Sequence, residues 1–343
     1  MPTILPRPTS CWTRILAVLP GAALALAAAA AAAGIHVIAP ALSASLVAIV
    51  FGILATNLTS RRGGVPPRFS PGLDYAGRTL LRLGVVLLGL QLLLSDILAL
   101  GWRTLAGLVL VVGGTFLGTV ALGRRWRIDT DQTLLIAGGF SICGAAAVGG
   151  VESVLRRGSR EKAAAAVALV VAFGTLMIVL MPLLVALVGL DPTAAGTWIG
   201  ASVHEVAQVV AAGSMVSPDA LRVAVVVKLA RVLLLTPVLA LLALRERRQD
   251  RSLEGQRPPL VPGFVVAFAA MVALRSLVTL PAPVLEVASQ LQAWALTAAM
   301  FALGTNVHVA HLRSLGLRPV ALAASATVLV TALGAATALL AGR

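Results

Sequence analysis

The sequence has little charge, few aromatic side chains and almost no cysteine. Of its 343 residues, 12% are charged and 4% are aromatic, whereas 59% are hydrophobic and the mean hydropathy is +0.98. Soluble domains contain about 25% charged residues. The composition therefore excludes an ordinary soluble domain and predicts an all-α polytopic membrane protein.

Several kinds of chemistry also lack their motifs. The two cysteines, Cys11 and Cys143, provide neither a disulfide framework nor the paired spacing of a zinc site. The chain has no HExxH, no P-loop and no GxGxxG before a helix, so metalloprotease, ATPase and dinucleotide chemistry are not indicated. We expect no metal, no cofactor and no enzymatic activity.

The basic residues belong to membrane orientation rather than to nucleic-acid binding. The net charge is +14, but the basic residues lie in short loops between apolar runs. Their bias predicts a cytoplasmic N-terminus and an external C-terminus. One loop is inconsistent with this orientation, because the basic stretch RRGSREK at 156–162 falls on the external side. Either the segment before it is not a simple span, or the loop crosses despite its charge.

Eleven segments are long and apolar enough to be candidate spans. They lie near 15–33, 36–57, 79–99, 103–122, 131–155, 164–190, 194–216, 220–244, 260–280, 284–304 and 318–341. The first could be a signal peptide, but its apolar run is longer than a typical signal core. We expect a retained helix within an N-terminal segment, 1–34.

The remaining ten segments divide into two fives, 35–190 and 191–343. An odd number per half would give two inverted five-helix repeats. The glycine-rich stretch 137–155 predicts a broken helix from Ser141 to Ala147, unless its small residues serve close packing. A second break is expected from Gly304 through Thr305 to Asn306, and the two broken helices should cross at mid-membrane.

The stretch GTWIGASVHEVAQVVAAGSMV, 196–216, reads as one continuous span with an ionisable cluster in its centre. His204, Glu205 and Gln208 would share a helix face. A charge there is costly, so it should pair or line a pathway. Lys228 and Arg231 in the next span are the expected partners, either as an ion pair that fixes helix register or as cations that hold an anion.

Five blocks of this sequence resemble a known family: LLRLGVVLLGL at 80–90, SICGAAAV at 141–148, GTWIGASVHEVAQVVAAG at 196–213, VKLAR at 227–231 and LGTNVHVAHL at 303–312. They are similar to the YeiH-like bacterial inner-membrane proteins that are named as sulfate exporters. The resemblance implies an inverted-repeat transporter similar to the bile-acid and sodium/proton antiporter folds. The sequence departs from the family pattern at Thr305 and Val307.

We therefore predict a secondary transporter of a small anion, with sulfate or a related sulfur oxyanion implied by the resemblance and with coupling to protons. An anion channel, or an intramembrane hydrolase using Ser141, His204 and Glu205, are the alternatives. Expected partners are the anion, the lipid bilayer and protons, with no nucleic acid, and a homo-oligomer is compatible with the sequence. The expected substrate and ion site comprises Ser141, Cys143, Gly144, Ser202, His204, Glu205, Gln208, Lys228, Arg231, Gly304, Thr305 and Asn306.

Overall fold

The computed structural model describes residues 11–39, 44–59, 65–155, 160–249, 263–306 and 316–341, and its regular elements there are helices. In chain order they are α1 (Cys11–Ile38), α2 (Ala44–Thr59), α3 (Ser70–Tyr75), a π turn (Ala76–Leu80), α4 (Leu81–Leu88), α5 (Leu94–Ala99), α6 (Gly101–Arg125), α7 (Thr130–Ser141), α8 (Ala145–Val154), α9 (Arg160–Val188), α10 (Pro192–Ser202), α11 (Val206–Ser214), α12 (Pro218–Leu233), α13 (Leu235–Gln249), α14 (Gly263–Leu277), α15 (Ala282–Gly304) and α16 (Leu317–Ala341).

Within these ranges, five helices are long and apolar enough to cross a membrane. They are Leu16–Ile38, Gly101–Arg125, Glu161–Val188, Pro218–Glu246 and Leu317–Ala341. Large apolar side chains such as Leu117 and Leu183 are exposed on them, as expected where the surrounding solvent is lipid. The chain is a polytopic membrane protein.

The third predicted span begins nine residues earlier than expected. Its helix starts at Ser70 rather than near residue 79, with Pro71 in the first turn, and continues through the π turn into α4. Proline is well placed at a helix start because its missing N–H has no intrahelical partner there. The early start puts Arg78 and Arg82 well inside the helix instead of at its end.

The glycine-rich segment is broken as predicted, but it does not cross the membrane. Residues 142–144 form a turn between α7 and α8, with Gly144 at φ +72°. A Cβ on Gly138 would lie 2.6 Å from Val151, and one on Gly139 would lie 2.7 Å from Val148. As the residue number increases along α7, the number of the contacting residue on α8 decreases. The two helices are therefore antiparallel and form a hairpin, which we call hairpin 1.

A contact at the open end of hairpin 1 also shows that the chain folds back between α7 and α8. Lys162 Nζ donates to Asp129 Oδ1 at 2.7 Å, and Asp129 caps the start of α7 through the Gln132 amide. A straight helical path from 130 to 154 would be about 38 Å long. The seven steps between successive residues from Leu155 to Lys162 can span only about 25 Å. Lys162 could not return to Asp129 if the segment crossed, so the predicted span 131–155 is wrong.

The segment expected to be one continuous helix, 194–216, is a second hairpin. It breaks at Val203–Glu205 between α10 and α11. A Cβ on Gly196 would lie 2.5 Å from Ala220 O, and one on Gly213 would lie 3.0 Å from Leu221 Cα. Because both glycines adjoin the same turn of α12, α11 must run back beside α10. We call this hairpin 2.

The two hairpins enter from opposite ends of α9 and meet at their tips. The first half of α9 packs on hairpin 1 through Val170, and Met177, Met181 and Val185 pack on hairpin 2. α9 has 29 residues, about 43 Å, and the tips meet beside its middle. The crossing expected between 141–147 and 304–306 is replaced by a meeting of 142–144 with 203–205.

Candidate functional site

Two buried cations lie where the hairpin tips meet. Lys228 is 0% exposed, and its Nζ donates to Ile142 O and to Val203 O, each at 2.8 Å. One carbonyl belongs to each tip. The carboxyl ends of α7 and α10 present unpaired carbonyls and a partial negative charge, and the ammonium satisfies both.

Arg231 lies one turn further along α12, and its guanidinium group also donates to carbonyls of both tips. Nη1 donates to Ala201 O at 2.6 Å, and Nη2 donates to Ser141 O at 2.8 Å. The side chain is also 0% exposed. Lys228 and Arg231 therefore join the last residues of α7 and α10 across the centre of the molecule.

Glu205 lies on the other side of the tips, at the amino ends of α8 and α11. Its Oε1 accepts from the Ala145 amide at 3.3 Å, and it stands at the N-cap of α11. Helix amino ends attract negative charge. A Cβ on Gly144 would come 2.6 Å from Glu205 Cγ, so glycine is needed there both for the positive φ and for the approach of the carboxylate.

The ion pair expected between Glu205 and Lys228 or Arg231 does not form. Between described residues, the salt bridges join Lys162 to Asp129 and Asp131, and Arg222 to Asp219. The ion pair is absent because the chain is broken at both residues 142–144 and residues 203–205. Broken helices expose carbonyls at one end and amides at the other, and these backbone groups take the cations and the carboxylate separately.

The remaining polar residues of the two tips are partly separated from the carboxylate. Gln208 Oε1 accepts from the Glu205 amide at 3.1 Å, which fixes the N-cap backbone. His204 is fully buried, 4.6 Å from the Phe140 ring, with Nε2 3.3 Å from Thr327 Oγ1. Ser202 is buried beside Gly334. Since α10 ends at Ser202, the predicted shared face of His204 and Gln208 does not exist.

Ser141 is also held locally, because its hydroxyl is 3.4 Å from Gly138 O. Among the described residues, its hydroxyl forms no hydrogen bond with His204 or Glu205. The three residues proposed for a hydrolase thus lie on the same two tips without forming a nucleophile and base pair.

A cavity of about 330 Å³ opens against Glu205. Cys143, Ala146, Glu205 and Val206 line it from the tips, and its opposite wall is mostly apolar, with Leu296, Thr297 and Met300 from α15. Lys228 and Arg231 do not line it. The carboxylate and the amino ends of α8 and α11 are therefore the polar groups that the tips offer to a molecule in this cavity.

The other predicted break lies elsewhere. α15 ends at Gly304, Thr305 and Asn306 form a turn, and residues 307–315 lie outside the described part of the chain. Gly304 packs against the backbone of Ile49 and Gly52, and Thr56 Oγ1 donates to Thr305 O at 2.6 Å. These three site residues belong to the contact between α15 and α2, away from the hairpin tips.

Sequence reasoning missed two features of the site. The Val203–Glu205 break has no glycine or proline to indicate it, and the backbone amide of Ala145 has no sequence signature as an anion donor. Gly174 was also missed, although a Cβ there would lie 2.1 Å from Gln208 Oε1. The early Pro71 is the one local signal that could have placed Arg78 and Arg82 inside a helix.

Two opposed re-entrant hairpins with buried charges at their tips define a helical membrane protein built around a charged centre. Comparison with known proteins then gives the family. The family model described as conserved hypothetical protein 698 matches residues 17–323, and the chain belongs to this family, that of the UPF0324 membrane proteins.

Bacterial relatives match over most of their length. A UPF0324 membrane protein of Corynebacterium glutamicum is 51% identical over 296 residues, which cover 86% of this chain and 84% of the relative. One from Pseudomonas putida is 41% identical, covering 82% and 80%. The UPF0324 membrane protein TauZ of Paracoccus denitrificans is 37% identical, covering 83% and 84%. No solved structure matches the chain.

Proposed function

We propose that this protein is a secondary transporter that moves a small anion across the bacterial inner membrane in a proton-coupled cycle. The observation that supports it is the meeting of the two hairpin tips around Lys228, Arg231 and Glu205 beside a cavity. Broken helices at mid-membrane that direct their ends at a polar site are characteristic of carriers. The amino ends of α8 and α11 meet this cavity beside Glu205 and can hold an anion when the carboxylate is protonated.

Glu205 would couple the anion to a proton. In its ionised form the carboxylate accepts from the Ala145 amide and repels an anion from the cavity. Once protonated, it can leave the amino ends of α8 and α11 free for the substrate anion. Anion and proton then occupy the site together and leave together. The buried cations stabilise the tips in both states and are not required to touch the substrate.

The cavity wall bears on the charge of the substrate. A dianion would lose more hydration than a monoanion on entering a mostly apolar cavity. The family resemblance indicates sulfate or a related sulfur oxyanion, and the apolar wall favours the singly charged members of that class, such as hydrogen sulfite.

Two inverted repeats remain our proposal for the architecture, with a changed correspondence. Hairpin 1 followed by α9 has the same order as hairpin 2 followed by α12 and α13, and the two hairpins point in opposite directions. α6 packs antiparallel to α16, since Gly107 meets Thr337 and Gly118 meets Leu329. We propose that α6 and α16 also correspond, which makes the second repeat a circular permutation of the first.

The orientation follows from the same hairpins. With a cytoplasmic N-terminus, both ends of hairpin 1 are cytoplasmic, so the basic stretch 156–162 no longer opposes the positive-inside rule. Arg103, Arg222, Arg275 and Arg343 are then the arginines at or beyond external helix ends.

A channel is the second candidate, and flux measurements separate the two. Purified protein in liposomes loaded with sulfate or sulfite should take up the radiolabelled anion, saturate and show counterflow, whereas a channel gives currents without counterflow. An imposed pH gradient should accelerate net uptake by the wild-type protein. A protein that shows no counterflow with any small oxyanion would contradict the carrier.

Glu205→Gln is the decisive variant. The amide oxygen can still accept from Ala145, so the fold is kept, but the group no longer titrates. We expect counterflow to persist and the response to the pH gradient to disappear. Glu286→Gln is the matched control, because Glu286 is an exposed carboxylate on α15. An unchanged pH response in Glu205→Gln would refute the coupling role.

A further inference from the structure

A second cavity of about 300 Å³ lies next to the first and is lined by different charges. Arg78, Arg82, Glu152 and Ser153 face it, together with Phe264 on one side. Leu81, Val85 and Ala146 line both cavities. The second cavity is therefore continuous with the wall that faces Glu205.

The two arginines lie deep along their helix. Counted from Ser70, Arg78 is about 12 Å and Arg82 about 18 Å along the axis. An arginine at such a depth costs several kcal/mol unless it reaches water or a partner. Both side chains are exposed, so the cavity must supply the polar surroundings that the lipid does not.

Neither arginine has an anionic partner among the described residues. The ion pairs between described residues involve other side chains, and the centre of the Phe264 ring lies 5.7 Å from the guanidinium carbon of Arg82. Such a contact is worth only about 0.5–1 kcal/mol at an exposed site. Glu152 supplies one negative charge against two positive charges in this cavity.

The π turn of this helix directs both arginines to the second cavity. The π turn Ala76–Leu80 includes Arg78 and ends two residues before Arg82, so both guanidinium groups reach the same cavity from adjacent turns. π turns are rare and concentrate at functional sites. Guanidinium groups bind oxyanions through paired parallel hydrogen bonds.

We propose that Arg78 and Arg82 form a separate binding site for small oxyanions, a vestibule from which the anion passes to the cavity at Glu205. The inference rests on the proposed transport function for its role, but the binding site itself does not depend on transport. Its ligand class is a sulfate-like oxyanion, held by two guanidinium groups while still partly hydrated.

The test measures the vestibule directly. Ser153→Cys is introduced in a chain whose native cysteines are replaced, Cys11→Ala and Cys143→Ala. The rates of modification by a sulfonate-bearing and by a trimethylammonium-bearing methanethiosulfonate are then compared in purified protein, each divided by the rate of the same reagent with a small free thiol, because the thiolate itself attracts the cationic reagent. A cationic cleft raises the local concentration of anions by ten-fold or more, so we expect on the order of a ten-fold preference for the sulfonate reagent.

Two further measurements complete it. In Arg78→Gln/Arg82→Gln the preference should fall to near one, whereas Arg124→Gln/Arg125→Gln, which removes two exposed arginines at the end of α6, should leave it unchanged. Sulfate should slow the reaction of the sulfonate reagent with Ser153→Cys when both arginines are present, and should not slow it in Arg78→Gln/Arg82→Gln. A preference that survives the loss of Arg78 and Arg82, an absence of protection by sulfate, or an unreactive cysteine would each overturn the site.

Failure of the transport proposal would look different. If liposomes show no counterflow while the charge preference and sulfate protection are present, the oxyanion site stands and the carrier does not. If counterflow is present but the preference is absent, the carrier stands and its substrate enters by another route.

Discussion

Lys228→Met tests whether the lysine holds the hairpin tips together. The ammonium donates to Ile142 O and Val203 O at 2.8 Å, and the thioether can replace neither bond. Hydrogen bonds to a charged group contribute about 1.5–3 kcal/mol each, so the two together contribute about 3–6 kcal/mol. Removing a buried charge returns part of this. We expect a net loss of about 2–4 kcal/mol in the free energy of unfolding.

The assay is reversible unfolding of purified protein in mixed micelles, followed by circular dichroism. Arg222→Met is the control on the same helix, because Arg222 is exposed and pairs with Asp219 at the surface. A surface pair contributes about 0–1 kcal/mol, so this variant should unfold almost as the wild type does.

Anion binding by the folded variant separates structure from recognition. Lys228 does not line the cavity, so folded Lys228→Met should bind sulfite with affinity close to wild type. If the variant is as stable as the wild type while its anion affinity falls ten-fold, Lys228 holds the substrate and the assignment to the backbone carbonyls is refuted.

Three more predictions concern the hairpins. Gly144→Ala should destabilise the protein by at least about 1–2 kcal/mol because of its positive φ, whereas Gly113→Ala, where a Cβ meets nothing within 4 Å, should be neutral or stabilising; equal unfolding midpoints would contradict the tip geometry. Partial burial alone would raise the pKa of Asp129, but hydrogen bonds from Lys162 and the Gln132 amide lower it below its ordinary value. The stabilisation of the fold by the Asp129 contact is therefore present at neutral pH and lost as the pH falls below about 4 through that lowered pKa. The free energy of unfolding of the wild type should thus depend on pH there more steeply than that of Asp129→Asn. Parallel pH profiles of the two proteins would count against the contact. Single cysteines in place of Thr130 and Thr193, which are both exposed, should react with an impermeant maleimide from opposite sides of the membrane, the first from the cytoplasm, and labelling of both from one side would exclude the opposed hairpins.

Local sequence determined the membrane class and most helices. The apolar runs that became α6, α9 and α16 were recognisable because a span needs about 20 apolar residues. The break at residues 142–144 was also predictable, because a glycine-rich run is poor material for a helix and Gly144 can adopt a positive φ without strain. The identity of the charged residues at the centre, Glu205, Lys228 and Arg231, followed from their cost within apolar segments.

Only the tertiary structure decided what those residues do. The break at Val203 has no local cause, because its carbonyl finds partners in Lys228 and Arg231, which belong to the next helix. Whether 130–154 crosses or folds back depends on the contact between Asp129 and Lys162. Hydropathy measures the preference of a segment for lipid, and a hairpin buried among helices satisfies that preference as well as a span does. The distinction therefore lies in long-range hydrogen bonds and packing, which a local pattern does not contain.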